Sequence, residues 1–390
     1  MDDRVARGHA ELDDEVCLAN ARVVLRDEVV AGDLYVRHGQ IAALGSAGGA
    51  RLDMDGDYLI PGLVDLHTDN IEHHFHPRPG VRWPSAIGAV MAHDWQMLGS
   101  GITTVLDSLS IGDYDTGGAR TAMLNAAIGG IDAARAAGLL KAEHFFHFRC
   151  ELSDPGLLPI LRSHVDNPHL RLLSLMDHTP GQRQWHDIAL YRAFRRKKNN
   201  QVWTDSEFAI YLAEREADQA KHVPEARAYV VGAARGRGIH LASHDDTSLA
   251  DVDQSAADGI GLAEFPTTLA AARRARELGQ HVAMGSPNVV LGGSHSGNVG
   301  AMDLARAGLL DVLTSDYVPA SLLQAAFILA EVSGDLPGAI GTVTAAPAAI
   351  AGLGDRGRIA PGLRADLLRV RVVDGVPVVR GIWVGGRRYL

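Results

Sequence analysis

Short apolar segments alternate with alanine-rich stretches through most of the chain between residues 61 and 354. The apolar segments have the length of buried strands and the stretches between them have helical character, a pattern typical of a parallel sheet built from βα units. Eight strand candidates follow one another, at residues 63–69, 102–108, 145–152, 171–178, 239–246, 262–266, 281–286 and 311–316. This order predicts an α/β fold, a TIM-like (β/α)8 barrel. An open, doubly wound sheet explains less readily why polar residues follow so many strands.

The two ends of the chain share a different pattern. Residues 16–58 form short runs of alternating apolar and polar positions, and residues 357–390 repeat that texture with Gly, Pro and Asp-Gly turns. Chain termini commonly lie close together at a domain surface. We therefore predict that residues 1–60 and 355–390 form a small composite β-sandwich around a barrel of residues 61–354.

Residues 185–225 depart from the simple repeat, because they read as charged helices that carry a basic run from Arg195 to Lys198. A long insertion after a strand end is often a lid or a specificity element. For the basic run itself, a solvated helical face is the commoner explanation.

Composition excludes several classes of function. The chain has 390 residues, is 46% hydrophobic and carries a formal charge of −10, which argues against a general nucleic-acid surface. We find no apolar run of about 18 residues and no signal-peptide pattern, so we expect neither a membrane span nor export. Two distant cysteines, Cys17 and Cys150, fit a reducing compartment, and the cytoplasm is the default expectation.

Polar residues of metal-ligand type follow five of the predicted barrel strands. Residues two apart on a strand share a face, so His67 and Asp69 should leave the first strand together. The candidates on the later strands are Glu151, His178, His244 with Asp245 and Asp246, and Asp316. Imidazole nitrogens and carboxylate oxygens suit divalent ions, and this set is large enough for two.

Roles can be assigned within this set. Glu151 has two oxygens and could bridge two ions, as two-metal hydrolases require. Two ions would lower the pKa of a water between them, and Asp316 is placed to take its proton and pass one to a leaving group. On the fifth strand His244 and Asp246 share a face, so spacing does not decide which residue is the ligand.

A second group of residues suits anions. Arg78 and Arg82 lie in a proline-stiffened segment after the first ligand pair, and Arg183 follows the fourth strand. Planar guanidinium groups bind phosphate oxygens well. The loop of residues 285–298 is rich in Gly, Ser and Asn and contains Ser294, His295 and Asn298. Taken alone it could be a flexible surface loop, but barrels often bind phosphate after strands seven and eight.

Several motifs resemble a known family. YLIPGLVDLHTD near the start and GRIAPGLRADLLRV near the end look like the amidohydrolase superfamily, whose members join a metal-bearing barrel to a composite β-sandwich. Within that superfamily, the chain resembles the diphosphatase branch of the carbon–phosphorus lyase pathway. The motifs that carry this are HTDNIE, PRPGVRWP, HFRCE, SLMDHTPGQRQ, ASHDD, AEFPTT, GSPNVVLGGSHSGN and SDYVPASLL.

The resemblance implies hydrolysis of α-D-ribose 1-methylphosphonate 5-triphosphate to the 5-phosphate and pyrophosphate with two divalent metal ions. Zinc is the first expectation, with manganese, iron or nickel as alternatives. His244 becomes the expected fifth-strand ligand, and Arg78, Arg82 and Arg183 would compensate the charge of a small phosphorylated substrate. His73, His74 and His76 are expected to face solvent.

An amidohydrolase acting on a C–N bond, of deacetylase or deaminase type, is the alternative function. It predicts few arginines near the site. A non-catalytic barrel would have lost a ligand, and none is missing from the sequence. Whether the protein is a monomer or a homodimer stays open.

Overall fold

The computed structural model describes residues 15–45, 48–112, 118–199, 201–294 and 297–390. The first five strands precede the barrel: β1 Glu15–Val24, β2 Val29–Arg37, β3 Gln40–Leu44, β4 Ala50–Asp53 and β5 Tyr58–Pro61. The barrel strands are β6 Leu63–Thr68, β7 Ile102–Ile111, β8 Glu143–Glu151, β9 Leu170–Met176, β10 His240–His244, β11 Leu262–Glu264, β12 His281–Gly285 and β13 Val312–Thr314. Each of the eight predicted segments overlaps one of these strands.

Helices connect and cover the barrel strands. They are α1 Ile71–Phe75, α2 Ala86–Gly99, α3 Ala119–Ala136, α4 Leu157–His164, α5 Ile188–Asn199, α6 Asp205–Arg237, α7 Leu249–Ala257, α8 Leu269–Glu277, α9 Ser286–Val290, α10 Ala301–Arg306, α11 Ser321–Ser333, α12 Leu336–Gly341 and α13 Ala345–Ile350. No helix in the described ranges is long and apolar enough to cross a membrane.

The barrel sheet is parallel and closed. Its strands pair in chain order from β6 to β13, and every residue of β6 and β7 is buried, as expected where both faces are covered. Thr68 and Asp316 form a parallel bridge between the first and last strands, with hydrogen bonds from Asp69 N to Asp316 O (2.8 Å) and from Asp316 N to His67 O (2.9 Å). The barrel prediction is therefore confirmed over the open sheet.

The termini form one second sheet, as predicted. The C-terminal strands are β14 Leu367–Val373, β15 Val376–Val384 and β16 Arg387–Arg388. The order is β16-β15-β14-β5-β1-β2-β3, with β4 also paired to β1, and β5 joins the two ends of the chain by pairing with both β1 and β14. The residue limits of the two domains stay a prediction.

The helical insertion is continuous with the barrel. Helix α6 begins at a capping box formed by Thr204 and Glu207 and ends at Gly238, whose φ of 66° is left-handed. Its C-terminal turns bury Val230 and Ala234 in the barrel core, whereas among residues 205–222 Phe208 alone is buried. Helix α6 is thus a barrel helix extended at its N-terminus into an arm. The two cysteines are buried and free.

Asp57 links the two ends of the chain through buried ion pairs. Its carboxylate is buried and accepts hydrogen bonds from Arg369 (2.6 Å), Arg371 (2.5 Å) and Arg380 (3.1 Å) of the C-terminal strands. Burial would raise the pKa of Asp57, but hydrogen bonds from Arg371 and Arg369 outweigh it and hold the pKa below its usual range.

We expect Asp57→Asn to lower the local stability of β5 and β14 by about 1–3 kcal/mol, because charge-assisted hydrogen bonds are lost. Hydrogen–deuterium exchange of peptides from these strands measures this. The contribution of ionised Asp57 to stability is fully present above the ordinary aspartate pKa of about 3.9. It is lost as the pH falls through the lower pKa that Asp57 has in the folded protein, so the difference in stability between Asp57→Asn and wild type should vanish in acid. Asp55→Asn, which alters an exposed ion pair with Arg371, is the control and should change little. Equal effects of the two substitutions would contradict the assignment.

Candidate metal-binding active site

A cavity of about 540 Å³ opens at the carboxyl ends of the barrel strands. This is the end at which barrel enzymes place their chemistry. The structure brings all six predicted ligand residues to the cavity wall: His67, Asp69, Glu151, His178, His244 and Asp316. Their assignment as ligands stays a prediction, but their common location is a finding.

Barrel closure builds the first group of side chains. His67 Nε2 lies 3.6 Å from Asp69 Oδ1, and these two residues and Asp316 present ligand atoms within 4.8 Å of one another. Asp316 has a left-handed φ of 55°. A Cβ on Gly285 would lie 3.3 Å from Asp316 Oδ2, so a larger residue there would crowd the carboxylate.

The second group contains His178, His244 and Asp245, again with ligand atoms within 4.8 Å of one another. Asp245 Oδ2 lies 2.8 Å from His244 Nδ1 and 3.5 Å from His178 Nε2. The expected pairing of His244 with Asp246 on one face does not hold, because β10 ends at His244 and a φ of 60° turns Asp245 into the cavity. Asp246 instead forms a buried ion pair with Arg183.

Arg149 lies between the two groups. Its Nη1 is 2.8 Å from both carboxylate oxygens of Asp69, and its Nη2 is 3.4 Å from His244 Nε2. Glu151 contacts the second group, since its carboxylate accepts from Ser153 Oγ (2.9 Å) and lies 2.6 Å from His178 Nδ1. The bridging role of Glu151 therefore stays a prediction. Sequence reasoning did not assign Arg149 to the site, although it lies two residues before Glu151 on the same strand face.

Glu264 is a further residue that sequence reasoning missed. It is fully buried at the end of β11, with Oε1 3.1 Å from His67 Nδ1 and Oε2 3.7 Å from His147 Nε2. A carboxylate on one imidazole nitrogen fixes the ring so that the other nitrogen points at a metal. Glu264 thus directs Nε2 of His67 toward Asp69. The sequence placed Glu264 in the middle of the predicted strand of residues 262–266, and only the structure shows that the strand ends at this residue.

Neighbouring carboxylates raise the pKa values of the ligand-type histidines His67 and His178. Burial would lower the pKa of His67, but Glu264 and Asp69 raise it to about 10. In the same way Glu151 and Asp245 overcome burial and raise the pKa of His178 to about 9. Burial raises the pKa of Asp316, with Asp69 adding to the effect. These carboxylates therefore attract cations, whether protons or metal ions.

The donors present fit divalent metal ions. Asp245 Oδ2 and His244 Nδ1 are close in space, yet both are buried without a hydrogen-bond partner in the described residues. Buried polar atoms of this kind normally have partners, and a cation would supply one. Mixed nitrogen and oxygen donors are the set that zinc, manganese, iron and nickel accept.

A second cluster of ligand-type residues lies outside the cavity and is an ion-pair network. Asp107 lies 2.7 Å from His93 Nε2 and 2.8 Å from His144 Nδ1, and all three side chains are buried. The remaining ring nitrogens contact Asn70 (3.1 Å) and Asp94 (3.3 Å). Every ring nitrogen of the cluster is therefore occupied within the protein, and Asn70 links the network to the segment that carries Asp69.

The predicted anion-binding residues are distributed unevenly. Ser294 and Asn298 lie on the cavity wall, whereas Arg78 and Arg82 are exposed and are not part of that wall. Arg183 is buried against Asp246 and does not line the cavity either. His295 falls outside the described residues. The arginines that line the cavity are Arg120, Arg149, Arg195 and Arg215.

The histidines after Asp69 differ in environment. His73 and His76 are exposed, as expected. His74 is partly buried, with Nε2 2.8 Å from Gln96 Oε1 and 3.2 Å from Asn70 Nδ2. It therefore belongs to the surroundings of Asn70 and does not simply face solvent.

The chain matches known proteins in sequence and in fold. A scan against protein-family models finds no match. An α-D-ribose 1-methylphosphonate 5-triphosphate diphosphatase from Escherichia coli (strain K12) is 44% identical over 375 residues, which are 95% of this chain and 98% of that protein. Among solved structures, N-isopropylammelide isopropylaminohydrolase from Burkholderia multivorans ATCC 17616 has a TM-score of 0.64 at 19% identity over 96% of this chain and 97% of its own. An enamidase of the amidohydrolase superfamily has a TM-score of 0.60 at 16% identity, covering 96% of this chain and 95% of its own.

The solved structures agree with the fold, a (β/α)8 barrel joined to a second sheet from the two ends of the chain. They are too distant in sequence to indicate a substrate. The diphosphatase match extends over nearly the full length of both chains. The chain belongs to the family of α-D-ribose 1-methylphosphonate 5-triphosphate diphosphatases.

We expect Glu264→Gln to weaken metal binding by about 10- to 100-fold, because the amide cannot hold His67 in one tautomer as firmly as the carboxylate does. Competition with a chromophoric chelator measures the affinity. Glu143→Gln is the matched control, since Glu143 is a paired carboxylate at the opposite end of a barrel strand, bound to Arg356 at 2.8 Å. Unchanged affinity in Glu264→Gln would show that Glu264 does not orient the ligand.

Proposed function

We propose that this protein hydrolyses α-D-ribose 1-methylphosphonate 5-triphosphate to the 5-phosphate and pyrophosphate. The observation that carries this is the 44% identity with the E. coli diphosphatase over nearly the whole of both chains. The cavity supports it, because ligand-type residues and four arginines line it. A C–N hydrolase would have less use for so many guanidinium groups.

Two groups of residues would hold divalent ions in this proposal: His67, Asp69 and Asp316 in one, and His178, His244 and Asp245 with Glu151 in the other. Bound divalent ions supply Lewis-acid polarisation of a phosphoryl oxygen and a lower pKa for water. Glu264 would keep His67 oriented for this role. Zinc is our proposed metal, with manganese, iron or nickel as alternatives.

Asp316 is the proposed proton acceptor. It lies on the cavity wall beside His67 and Asp69, where a carboxylate can accept a proton from water. Water oxygen bonds to the phosphorus nearest the ribose, and the bond from that phosphorus to the oxygen bridging to the next phosphorus breaks. The proton taken by Asp316 can then be passed toward the leaving pyrophosphate. The products are the 5-phosphate and pyrophosphate, so atoms balance with one water consumed.

Charge compensation is the role of the arginines. The substrate brings several negative charges to a protein whose formal charge is −10, so local cations are needed. Arg149 contacts Asp69 beside the reaction centre, and Arg120 lines the same cavity. We place the protein in the cytoplasm, in keeping with its two free cysteines. A homodimer remains an alternative to a monomer.

Phosphorus NMR of the metal-loaded protein tests the function. The ribose methylphosphonate triphosphate should give pyrophosphate and a 5-phosphate monoester, and a panel of N-acyl and cyclic amides should not be hydrolysed. ATP run beside them reports whether nucleoside triphosphates are accepted. Amide turnover without pyrophosphate release would refute the proposal in favour of the C–N alternative.

We expect Asp316→Asn to lower kcat by about 10²- to 10⁴-fold, because the amide cannot accept a proton. Pyrophosphate release at saturating metal measures this, with metal content determined on the same sample. Asp311→Asn is the control, since Asp311 pairs with Arg276 at the opposite end of the last barrel strand. A variant that keeps both metal and wild-type kcat would remove Asp316 from the mechanism.

A further inference from the structure

The first barrel strand contains a β-bulge directly before the ligand pair. Asp65 of β6 pairs with Val105 of β7, and the next pairing joins Thr68 to Asp107. This step advances by three residues on β6 and by two on β7, so β6 holds one extra residue between the two pairings. Bulges are uncommon in parallel sheets, and they change the direction in which the following side chains point.

The bulge determines which side chains of β6 face the interior of the barrel. A cluster of buried apolar side chains fills this interior, because all eight barrel strands contribute to it, and β6 supplies Val64 and Leu66. Side chains alternate along a strand, so the next interior residue would be Thr68. Instead His67 and Asp69 lie on the cavity wall, and Thr68 is not part of that wall as described. The extra residue therefore turns the two ligand-type residues into the site.

Asp65 contacts the bulge from the outer face of β6. Its side chain is fully buried and points away from the interior, since it precedes Leu66 on the strand. Asp65 Oδ1 accepts hydrogen bonds from His67 N at 3.2 Å and from Ser315 N at 3.1 Å. The carboxylate thus satisfies a backbone N–H of the bulge and ties it to the end of β13.

His147 of β8 contacts the bulge from the inner face. Its side chain is fully buried, and Nδ1 lies 3.0 Å from Leu66 O. A carbonyl oxygen only accepts, so Nδ1 carries the proton and donates it. Ser108 Oγ lies 3.1 Å from the same nitrogen and can share this proton. Nε2 is then the acceptor for the hydroxyl of Ser174 at 2.9 Å, which fixes a neutral ring in one tautomer.

A role for His147 as a metal ligand is the alternative. His67, His147 and Glu264 present ligand atoms within 4.8 Å of one another. However, Nδ1 of His147 is protonated by its contact with Leu66 O, and the lone pair of Nε2 is directed at the hydroxyl of Ser174. His147 is also not among the described residues that line the cavity. The geometry therefore favours a supporting role.

We propose that His147 and Asp65 are positioning residues, which hold the bulge from the two faces of β6 and thereby direct His67 and Asp69 toward a metal ion. This rests on the proposed function, because it takes those two residues as ligands. Without either contact, the bulge leaves a buried carbonyl oxygen or N–H group unpaired. Regular pairing, with Thr68 facing inward, then becomes more favourable and displaces the ligands.

Two substitutions of His147 separate its ring nitrogens. The amide nitrogen of asparagine is as many bonds from the backbone as Nδ1 of histidine, so His147→Asn keeps a donor for Leu66 O. His147→Gln places its amide at the position of Nε2, next to Ser174, and offers no polar atom at the position of Nδ1. Glutamine is closer to histidine in volume than asparagine is, so packing alone would make His147→Gln the milder change.

We expect the opposite order. His147→Gln should weaken metal binding by about 10-fold, whereas His147→Asn should stay within about threefold of wild type, as measured by competition with a chromophoric chelator. With the proposed substrate and saturating metal, kcat of His147→Gln should fall more than KM changes, because the bulge positions the metal ligands and not the substrate contacts. Thermal unfolding of each sample checks that the protein is folded.

Asp65 provides an independent pair of variants should a substitution of His147 prevent folding. Asp65→Asn keeps an oxygen that accepts from His67 N, and Asp65→Leu has a similar shape without an acceptor. Asp65→Leu should weaken metal binding by about 10-fold, and Asp65→Asn should restore most of the affinity.

The outcomes distinguish this inference from the function on which it rests. A loss in His147→Gln that is equal to or smaller than the loss in His147→Asn would overturn the inference, and so would equal affinities of the two Asp65 variants; pyrophosphate release by wild type would persist in both cases. Wild-type protein that binds no divalent ion would overturn the ligand assignment and the inference together. Wild-type protein that binds metal, with the expected order of the variants, but releases no pyrophosphate would overturn the proposed function alone.

Discussion

Closure of the barrel between its first and last strands is the constraint on which the site depends. The backbone hydrogen bonds between residues 67–69 and Asp316 place two ends of the barrel sequence side by side. Asp65 reinforces them, since its buried Oδ1 accepts from Ser315 N (3.1 Å) and His67 N (3.2 Å). Burial raises the pKa of Asp65 to about 6. Residues nearly 250 positions apart in sequence therefore meet with fixed geometry, and ligand precision follows from strand pairing rather than from loop structure.

The site buries several carboxylates, and other residues of the fold must offset the free-energy cost of burying their charge. Burying unpaired charge is expensive, and each carboxylate here has a cationic or imidazole neighbour. Arg149 neutralises Asp69, and His178 neutralises Glu151. Burial lowers the pKa of His147 to about 3, which leaves that imidazole neutral beside Glu264. The same negative field that raises the pKa of His67 favours divalent cations, so ligand affinity and proton affinity have a common origin.

Much of this could be predicted from the sequence, because strand position and residue type determine it. The eight strands and the six ligand-type residues at their ends follow from hydrophobic pattern and the barrel rule. Tertiary pairing could not be predicted in the same way. Arg183 is of a residue type that binds anions, yet in the structure its guanidinium group is paired with Asp246. Asp245 faces the cavity because its backbone φ is left-handed. The alternation of side chains along a strand does not predict such a turn. Arg195 required knowing which face of α5 turns inward.

One fold can act on chemically different substrates when the residues that react and the residues that select the substrate lie on different segments. Solved structures at 19% identity or below share the barrel but carry names of C–N hydrolases, so the strand ends alone do not select a phosphoanhydride. Selection must come from segments beyond the strands. In this chain α6 begins outside the barrel core and ends in it, so Val230 and Ala234 anchor the helix while Tyr211 and Arg215 of its N-terminal half line the cavity. A side chain on a helix loses less conformational entropy when it binds a ligand than one on a free loop would, so residues that α6 adds to the wall can contribute to substrate selection at a low entropic cost.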